Sequence, residues 1–398
     1  MNKLLEKITR LDSIVNWLFL IILPIYIYLI VVSKTVLFVK NDVAYMIIKY
    51  SIKVCLVSFL LFTAYHIVTF EFSKKFTILL IVIGLLVVIN YYFCKRGTIL
   101  LFYCFTICAK NYTPKNLFKL FFFAFSFSFF FVLICRVLNI MPDATWADVM
   151  RPDGRFRHSL GFASPNVSAY CVVFFITMYI NYRREKMRII EFVILLVFSI
   201  ILYKFSDTKN GLFTSIIALT IGLIFVYTKS NIFEVIIEKF SVVSFGLGAL
   251  FSFALTFVYR ISPNKYAKLN SLLSGRLHLQ NYGIDKFGVT ILGQFMDYNL
   301  DEDYDTVDSS MVDLLIRYGV VFFVLMLAFF TYEAYLACKL KDKWLCFCLF
   351  IVAYYAVFDG SLMVLIFNPF SLYLFDNIFK YHKGSEELIL NRNVVKVI

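Results

Sequence analysis

The chain has 398 residues, of which 61% are hydrophobic and only 16% are charged, and it carries a formal net charge of +13. Soluble domains contain about 45–50% apolar and about 25% charged residues, so this composition excludes an ordinary soluble protein. The apolar residues form blocks near bilayer-spanning length, which predicts an all-α polytopic membrane protein. The positive charge is then explained by membrane orientation and anionic lipid head groups rather than by nucleic acid.

The blocks predict about 12 transmembrane helices in one integral membrane domain, residues 1–398. They fall near residues 14–32, 44–67, 76–94, 98–110, 118–140, 164–182, 189–204, 211–228, 241–259, 309–336, 344–366 and 367–380. The fourth and the last are short enough to be half-helices or re-entrant segments. The first block lacks the short apolar core and small-residue cleavage site of a signal peptide, so we expect it to be retained.

Basic residues predict the orientation of these helices. The runs RREKMR at 183–188 and KLKDK at 339–343 belong on the cytoplasmic side by the positive-inside rule. Both termini are then cytoplasmic, and the two longest connections, residues 141–163 and 260–308, are extracytoplasmic. Because long connections are often functional, any active site is expected to face outward.

No metal site is expected from the sequence, and no cofactor. The nine cysteines lie in or beside apolar runs, which argues against a disulfide framework, and none has zinc-like spacing with histidine. The acidic run DEDYD at 301–305 resembles the start of a calcium loop. Thr306 and Val312, however, stand where such a loop needs Gly and Glu.

The first connection ends in the stretch RFRHSLGFASPN, residues 155–166. Ser164 suits a helix N-cap and Pro165 the first helical position, so a helix is predicted to begin there. A helix N-terminus favours anions, and arginine binds phosphate oxygens in a forked geometry, so Arg155 and Arg157 are candidate phosphate ligands. Contact with phospholipid of the outer leaflet is the simpler alternative, and it stays open.

The second connection contains SLLSGRLHLQNYGIDKFGVTILGQ, residues 271–294. The pattern predicts a short amphipathic helix followed by a glycine-containing connection. Leu273, Leu277 and Ile284 are expected on one helical face, against the bilayer surface or the protein. Arg276 is expected on a neighbouring face.

Ionisable residues inside membrane spans are costly and often functional. Asp313 and Arg317 are four residues apart on one predicted helix, so we expect them to pair. Asp359 is expected deep in the eleventh predicted span. A proton-coupled carrier uses such groups, so a transporter remains an alternative.

Four motifs together resemble one family. In chain order they are RFRHSLGFASPN, SDTKNG, LLSGRLHL with YG and ILGQ, and VDSSMVDLLIRYGVVFF. They resemble the signatures of Wzy-type polysaccharide polymerases, related to the O-antigen ligases, over roughly residues 145–330. The sequence departs from that pattern at three positions: His158 stands where Tyr is common, Ser164 where His is common, and Lys209 where Arg is common.

This resemblance implies a membrane glycosyltransferase in the bacterial cytoplasmic membrane. Its substrate would be a polyprenyl-diphosphate-linked oligosaccharide, whose glycan is transferred to the next lipid-linked repeat unit with loss of polyprenyl diphosphate. A flippase and a chain-length regulator of the same pathway are the implied protein partners.

The resemblance also assigns roles to individual residues. Oriented cations that meet the charge developing on the diphosphate would lower the barrier. Arg157 and Arg276 are assigned to the diphosphate, with Arg155 and Lys209 in support. The acceptor hydroxyl needs a base, and the candidates are Asp308, Asp305, His158 and His278.

Two further functions compete with the polymerase. An O-antigen ligase would use the same donor with a different acceptor. A lipid-linked oligosaccharide flippase or other transporter would line a cavity through both leaflets with charged residues. The matched motifs lie on one predicted membrane face, which favours the enzyme.

Overall fold

The computed structural model describes residues 2–69, 74–144, 156–228, 231–296, 307–360 and 362–381. These ranges are helical and contain no strand; an isolated bridge joins Thr35 to Phe162. The helices divide into two compact units. One unit takes the described residues of Met1–Ser73 and Cys104–Lys229, and the other takes those of Lys74–Tyr103 and Ser230–Lys383.

We number the α-helices in chain order. They are α1 (Asn2–Val32), α2 (Val36–Lys40), α3 (Asp42–Thr69), α4 (Lys74–Cys94), α5 (Thr98–Cys108), α6 (Pro114–Val137), α7 (Pro165–Arg183), α8 (Ile189–Ser206), α9 (Lys209–Tyr227), α10 (Asn231–Ile261), α11 (Ala267–Leu272), α12 (Arg276–Phe287), α13 (Ser310–Lys339), α14 (Lys343–Phe358) and α15 (Leu374–Tyr381). Three short 3₁₀ segments accompany them: Ala109–Asn111, Arg184–Lys186 and Pro369–Tyr373.

Eight helices within the described ranges are long and apolar enough to cross a bilayer, by length and composition. They are α3, α6, α8, α9, α10 and α13, with Leu11–Val32 of α1 and Phe76–Cys94 of α4. The chain is therefore a helical membrane protein. Helices α5 and α14 are apolar but shorter, and the twelfth predicted block is a 3₁₀ turn followed by the eight-residue α15. The count of about 12 spans stays a prediction.

Helix α7 forms the centre of the first unit. It packs against α6, α8 and α9 and is buried along most of its length. Its enclosure by other helices explains why it tolerates Ser168, Thr177 and Asn181, all buried, in place of the aliphatic residues that a lipid-facing helix needs. Aromatic rings fill the space towards α6, where Phe129 stacks on Phe162 and contacts Phe175.

The second unit is built on α10, α13 and α14, which pack on one another. Phe245 of α10 stacks on Phe330 of α13 with ring centroids 4.9 Å apart. The second connection, predicted to run over residues 260–308, carries the short helices α11 and α12, and α12 packs against both α10 and α13. This connection is therefore a folded part of the second unit over its described residues.

Candidate functional site

The end of the first connection is built on a turn and a helix start. Gly161 has φ of +86°, a conformation that glycine adopts without the penalty other residues face. Ser164 occupies the N-cap position and Pro165 the first turn of α7, as the sequence predicts, although the Ser164 side chain makes no capping hydrogen bond. Backbone bonds fix the turn: Val36 N donates to Gly161 O, and Ala163 N donates to the carbonyl of residue 34 over 2.7 Å.

Arg157 joins two of the motifs that the sequence singled out. Its Nε donates to the carbonyl oxygen of Ser206 over 2.9 Å, and its Nη2 donates to Asn166 Oδ1 over 3.0 Å. The backbone amide of His158 donates to Phe205 O over 2.8 Å. The stretch 155–166 and the turn at 206–211 therefore meet, and the planar guanidinium is oriented beside the N-terminus of α7.

His158 pairs with a carboxylate that the sequence did not point to. Its Nδ1 lies 2.9 Å from Oδ2 of Asp143, at the other end of the first connection. The ring packs edge-on between Phe156 and Phe205, at centroid distances of 4.8 and 5.9 Å. The His158 side chain is 42% exposed and that of Asp143 only 13%. The imidazole is thus held by a partly buried carboxylate and faces solvent on its other side.

Asp143 is stabilised as a carboxylate. Its Oδ1 accepts bonds from the backbone amide and the hydroxyl of Ser159 at 2.8 and 2.5 Å, and Arg136 Nη2 lies 3.6 Å from Oδ2. Burial acts to raise the pKa of Asp143, but the bonds from Ser159 and His158 and the charge of Arg136 outweigh it, so the pKa is lowered. The group is therefore an acceptor at neutral pH.

The turn between α8 and α9 is fixed by close packing. Gly211 lies so near α7 that an added Cβ would be 2.8 Å from the Cβ of Ala169. Small residues permit such close approach of membrane helices. Lys209, at the start of α9, is exposed. The structure brings its backbone to the same turn as the carbonyl that binds Arg157.

In the second unit, Arg276 and Asp308 bind each other. Arg276 is the first residue of α12, after Gly275 in a left-handed conformation with φ of 82°. Its Nε donates to Asp308 Oδ2 over 3.1 Å, and the two side chains are 12% and 24% exposed. Asp308 precedes the N-cap of α13, Ser309. The pair therefore ties the start of α12 to the start of α13.

A small, partly open cleft lies beside Arg276. Its lining consists of Ser252, Leu255, Leu273, Arg276, Leu277, Gln280, Val357 and Phe358. Gln280 is buried and accepts a hydrogen bond from Thr256. Of the apolar face predicted for this helix, Leu277 and Ile284 lie on α12, whereas Leu273 lies in the break between α11 and α12, because the backbone turns at Gly275.

The ILGQ motif, residues 291–294, interlocks with the RYG segment of α13, residues 317–319. Helix α13 is broken at Gly319, whose φ and ψ are 86° and 169°. The segment 290–294 lies in the break: Gln294 N donates to Arg317 O, and Val320 N donates to Thr290 O, each over 2.9 Å. Asn90 of α4 donates through Nδ2 to the carbonyls of residues 292 and 318. These bonds satisfy backbone groups that a broken membrane helix leaves exposed.

Two ionisable groups beside this break behave as the sequence predicts. Arg317 is buried, and its Nη2 lies 2.8 Å from Asp313 Oδ1, one helical turn away. Asp359 is the C-cap of α14 rather than a mid-helix residue. Its carbonyl oxygen accepts from the Ser310 amide, so the end of α14 is joined to the start of α13.

The structure accounts for the predicted site residues unevenly. Arg155 and Asp305 lie outside the described residues, as does the rest of the acidic run, residues 301–304. His278, on the first turn of α12, is exposed, and its backbone amide donates to Asn270 Oδ1. Within the described ranges, no three His, Cys, Asp or Glu residues form a cluster suited to a metal ion.

Sequence reasoning missed the partners that orient the cations and the imidazole. Asp143 lies 15 residues before His158, and the Ser206 carbonyl has no signature in the sequence. Asn166 lies in the first turn of α7, and its bond from Arg157 was not predicted from the sequence. Only the position of Asn166, two residues after an N-cap and near an arginine, offered a usable signal.

Comparisons with protein-family models, with curated proteins and with solved structures found no match to this chain.

Proposed function

We propose that the protein is a polysaccharide polymerase of the cytoplasmic membrane. It would join polyprenyl-diphosphate-linked oligosaccharide repeat units at the outer face and release polyprenyl diphosphate. The observation that carries this proposal is the setting of Arg157, which links two motifs of the resemblance at a helix N-terminus. An oriented guanidinium there suits a diphosphate, which carries several negative charges and gains more as the glycosidic bond breaks.

In this proposal, each of the two compact units supplies cations for the diphosphate. Arg157 would bind the leaving diphosphate, and exposed Lys209 would add positive charge at the neighbouring turn. The role proposed for Arg276 is more demanding, because Asp308 already compensates its charge. Arg276 would then act through the donors of its fork that point away from Asp308.

Deletion of the gene in its source organism, followed by analysis of the surface glycan, tests the proposal. A polymerase predicts loss of long glycan chains and retention of single repeat units. A ligase, which uses the same donor chemistry, predicts full-length glycan that stays on its lipid carrier. Accumulation of lipid-linked units on the cytoplasmic side, with no polymer, would instead identify a flippase. An unchanged glycan would contradict all three functions.

A further inference from the structure

We propose that His158 is the general base of the transfer reaction and that Asp143 is its positioning residue. This inference rests on the proposed function, because it concerns the acceptor hydroxyl of that reaction. The sequence left four candidate bases open. The structure distinguishes two of them, Asp308 and His158, by what each group contacts.

Asp308 is poorly suited to the role. Its Oδ2 accepts from Arg276 Nε over 3.1 Å, and a carboxylate in a charge-assisted bond gives up that stabilisation when it takes a proton. His158 has the opposite arrangement. A carboxylate faces one ring nitrogen, so the imidazolium formed on proton uptake is stabilised by Asp143 at 2.9 Å.

The hydrogen bond also fixes the tautomer. Asp143 already accepts from Ser159 through Oδ1, and as a carboxylate it has no proton to donate, so His158 Nδ1 must be the donor. The lone pair of the neutral ring then lies on Nε2. Phe156 and Phe205 contact the ring edge-on and restrict its rotation. With 42% of the side chain exposed, a substrate can reach it.

The chemical step balances without a further reactant. The acceptor oxygen forms a bond to the anomeric carbon while its proton passes to His158 Nε2. The bond from the anomeric carbon to the phosphate oxygen breaks, and its electron pair leaves on polyprenyl diphosphate. Nδ1–H stays on the imidazolium and faces the Asp143 carboxylate. The proton is later released to solvent, which restores the neutral ring.

Asp143 has a structural role that must be separated from this one. It accepts the backbone amide of Ser159 and lies near Arg136, so its loss also loosens the first connection. Ser159→Ala is the matched control, because it removes the hydroxyl bond to Asp143 and leaves the contact with His158. Among the described residues, the other charged groups on the segments that pack around the ring are Lys34, Arg136, Arg157, Lys204, Asp207 and Lys209.

The test uses full-length protein in liposomes and lipid-linked repeat units extracted from the deletion strain. Initial rates of chain growth are measured against substrate concentration and pH for wild type, His158→Gln, Asp143→Asn, the double variant and Ser159→Ala. We expect His158→Gln to lower kcat by about 10²–10⁴-fold. Asp143→Asn should lower kcat on a similar scale with KM nearly unchanged, because it disturbs the tautomer and not binding.

Two readouts separate the base from a structural anchor. The double variant should be no slower than the worse single variant, since the two residues act as one unit. Wild type and Ser159→Ala should both lose activity on acidification, as expected for an imidazole base. The residual activity of His158→Gln should not show this loss at acidic pH. Rescue of kcat by Asp143→Glu would further support positioning.

The outcomes are distinct. Active wild type with unchanged kcat in His158→Gln and Asp143→Asn overturns the inference alone. Equal loss in Ser159→Ala and Asp143→Asn, with independent effects in the double variant, also overturns it and leaves Asp143 as an anchor of the connection. Wild type that forms no polymer overturns the proposed function and the inference together.

Discussion

The two long connections hold their arginines in different ways. Arg157 donates to a backbone carbonyl and to the side-chain oxygen of Asn166. Arg276 is oriented by the Asp308 carboxylate, which cancels much of its charge. In the first connection the nearby carboxylate, Asp143, is directed to a histidine instead. The side chains that orient the two arginines thus differ: an amide oxygen contacts Arg157, and a carboxylate contacts Arg276.

The contrast extends to the backbone. The first connection depends on a turn at Gly161 and on side-chain bonds, whereas the second depends on the interlock of segment 290–294 with the break at Gly319. The interlock of backbone bonds around Gly293 and Gly319 leaves no space for a side chain, because an added Cβ at either glycine would lie within 3 Å of three neighbouring atoms. We therefore expect substitutions at this interlock to act on folding and those at Arg157 and His158 to act on chemistry.

The largest effect is expected for Gly319→Ala. An added Cβ would collide with the amide nitrogen of Gly293 and lie 2.6 Å from Ile291 O. The backbone conformation is also one that is essentially restricted to glycine, so strain and overpacking together cost on the order of 2–6 kcal/mol. We expect little folded protein in membranes, measured as detergent-extracted monodisperse protein and as the unfolding temperature.

Gly246→Ala is the control for this change. Gly246 lies in α10, and an added Cβ would have no neighbour within 4 Å. This variant should be as abundant and as stable as wild type. Normal abundance and unfolding temperature for Gly319→Ala would show that the interlock does not constrain the fold.

Arg157→Ala is expected to have the next largest effect, now on activity. Removal of one preorganised group that meets developing charge costs about 10²–10³-fold in rate. Arg157→Lys should recover only part of this loss, because an ammonium keeps the charge but cannot reproduce the fork held by Ser206 and Asn166. Rates of chain growth and glycan ladders, normalised to the amount of membrane protein, measure both.

Arg260→Ala provides the matched comparison. Arg260 pairs with Asp285 on an exposed surface, where the two side chains are 52% and 56% exposed, and such pairs contribute little. If Arg157 merely contacted lipid head groups, its alanine variant would behave like Arg260→Ala and lysine would restore it fully. That result would remove the diphosphate role.

Part of this comparison was predictable from the sequence, and the reason is spacing. Helical periodicity and capping placed the start of α7 at Ser164 and paired Asp313 with Arg317, because both depend on residues within one or two turns. The partners of Arg276, His158 and Gly319 are 32, 15 and 26 residues away along the chain. Such contacts are decided by how helices pack, and no local pattern encodes them.

The apolar blocks show the same limit. Eight of the blocks coincide with helices long and apolar enough to cross a bilayer, because bilayer thickness sets a length and composition that can be read locally. The element bounds differ at the end of the chain, where the helix of the eleventh block ends at Phe358 and the twelfth block contains the 3₁₀ segment Pro369–Tyr373. These segments are buried in protein, where hydrophobicity reflects core packing as well as contact with lipid.

Asp308→Asn sharpens the comparison with a smaller effect. An asparagine oxygen still accepts from Arg276 Nε, so the loss is that of a charge-assisted bond replaced by a neutral one, about 1 kcal/mol or about fivefold in rate. A base at position 308 predicts a far larger loss of about 10²–10⁴-fold. Kinetics of Asp308→Asn beside Arg276→Ala distinguish them, and a severe defect in Asp308→Asn would move the base to the second region.

The smallest expected effect is a change in how the stability of the fold depends on pH, and it arises from Asp143. Its pKa is lowered in the folded protein because the bonds from Ser159 and His158 and the charge of Arg136 outweigh burial. A group with a lowered pKa stabilises the fold above its ordinary pKa, and this contribution is lost as the pH falls through the lowered value. Asp143→Asn removes this pH-dependent contribution to stability, so its unfolding temperature should fall less than that of wild type between pH 6 and strongly acidic pH.

Thermal unfolding in detergent measures this difference, with Asp285→Asn as an exposed control that should track wild type. Parallel curves for Asp143→Asn and wild type would mean that the carboxylate contributes no pH-dependent stability to the first connection, and its contact with His158 would then have to be justified by catalysis alone.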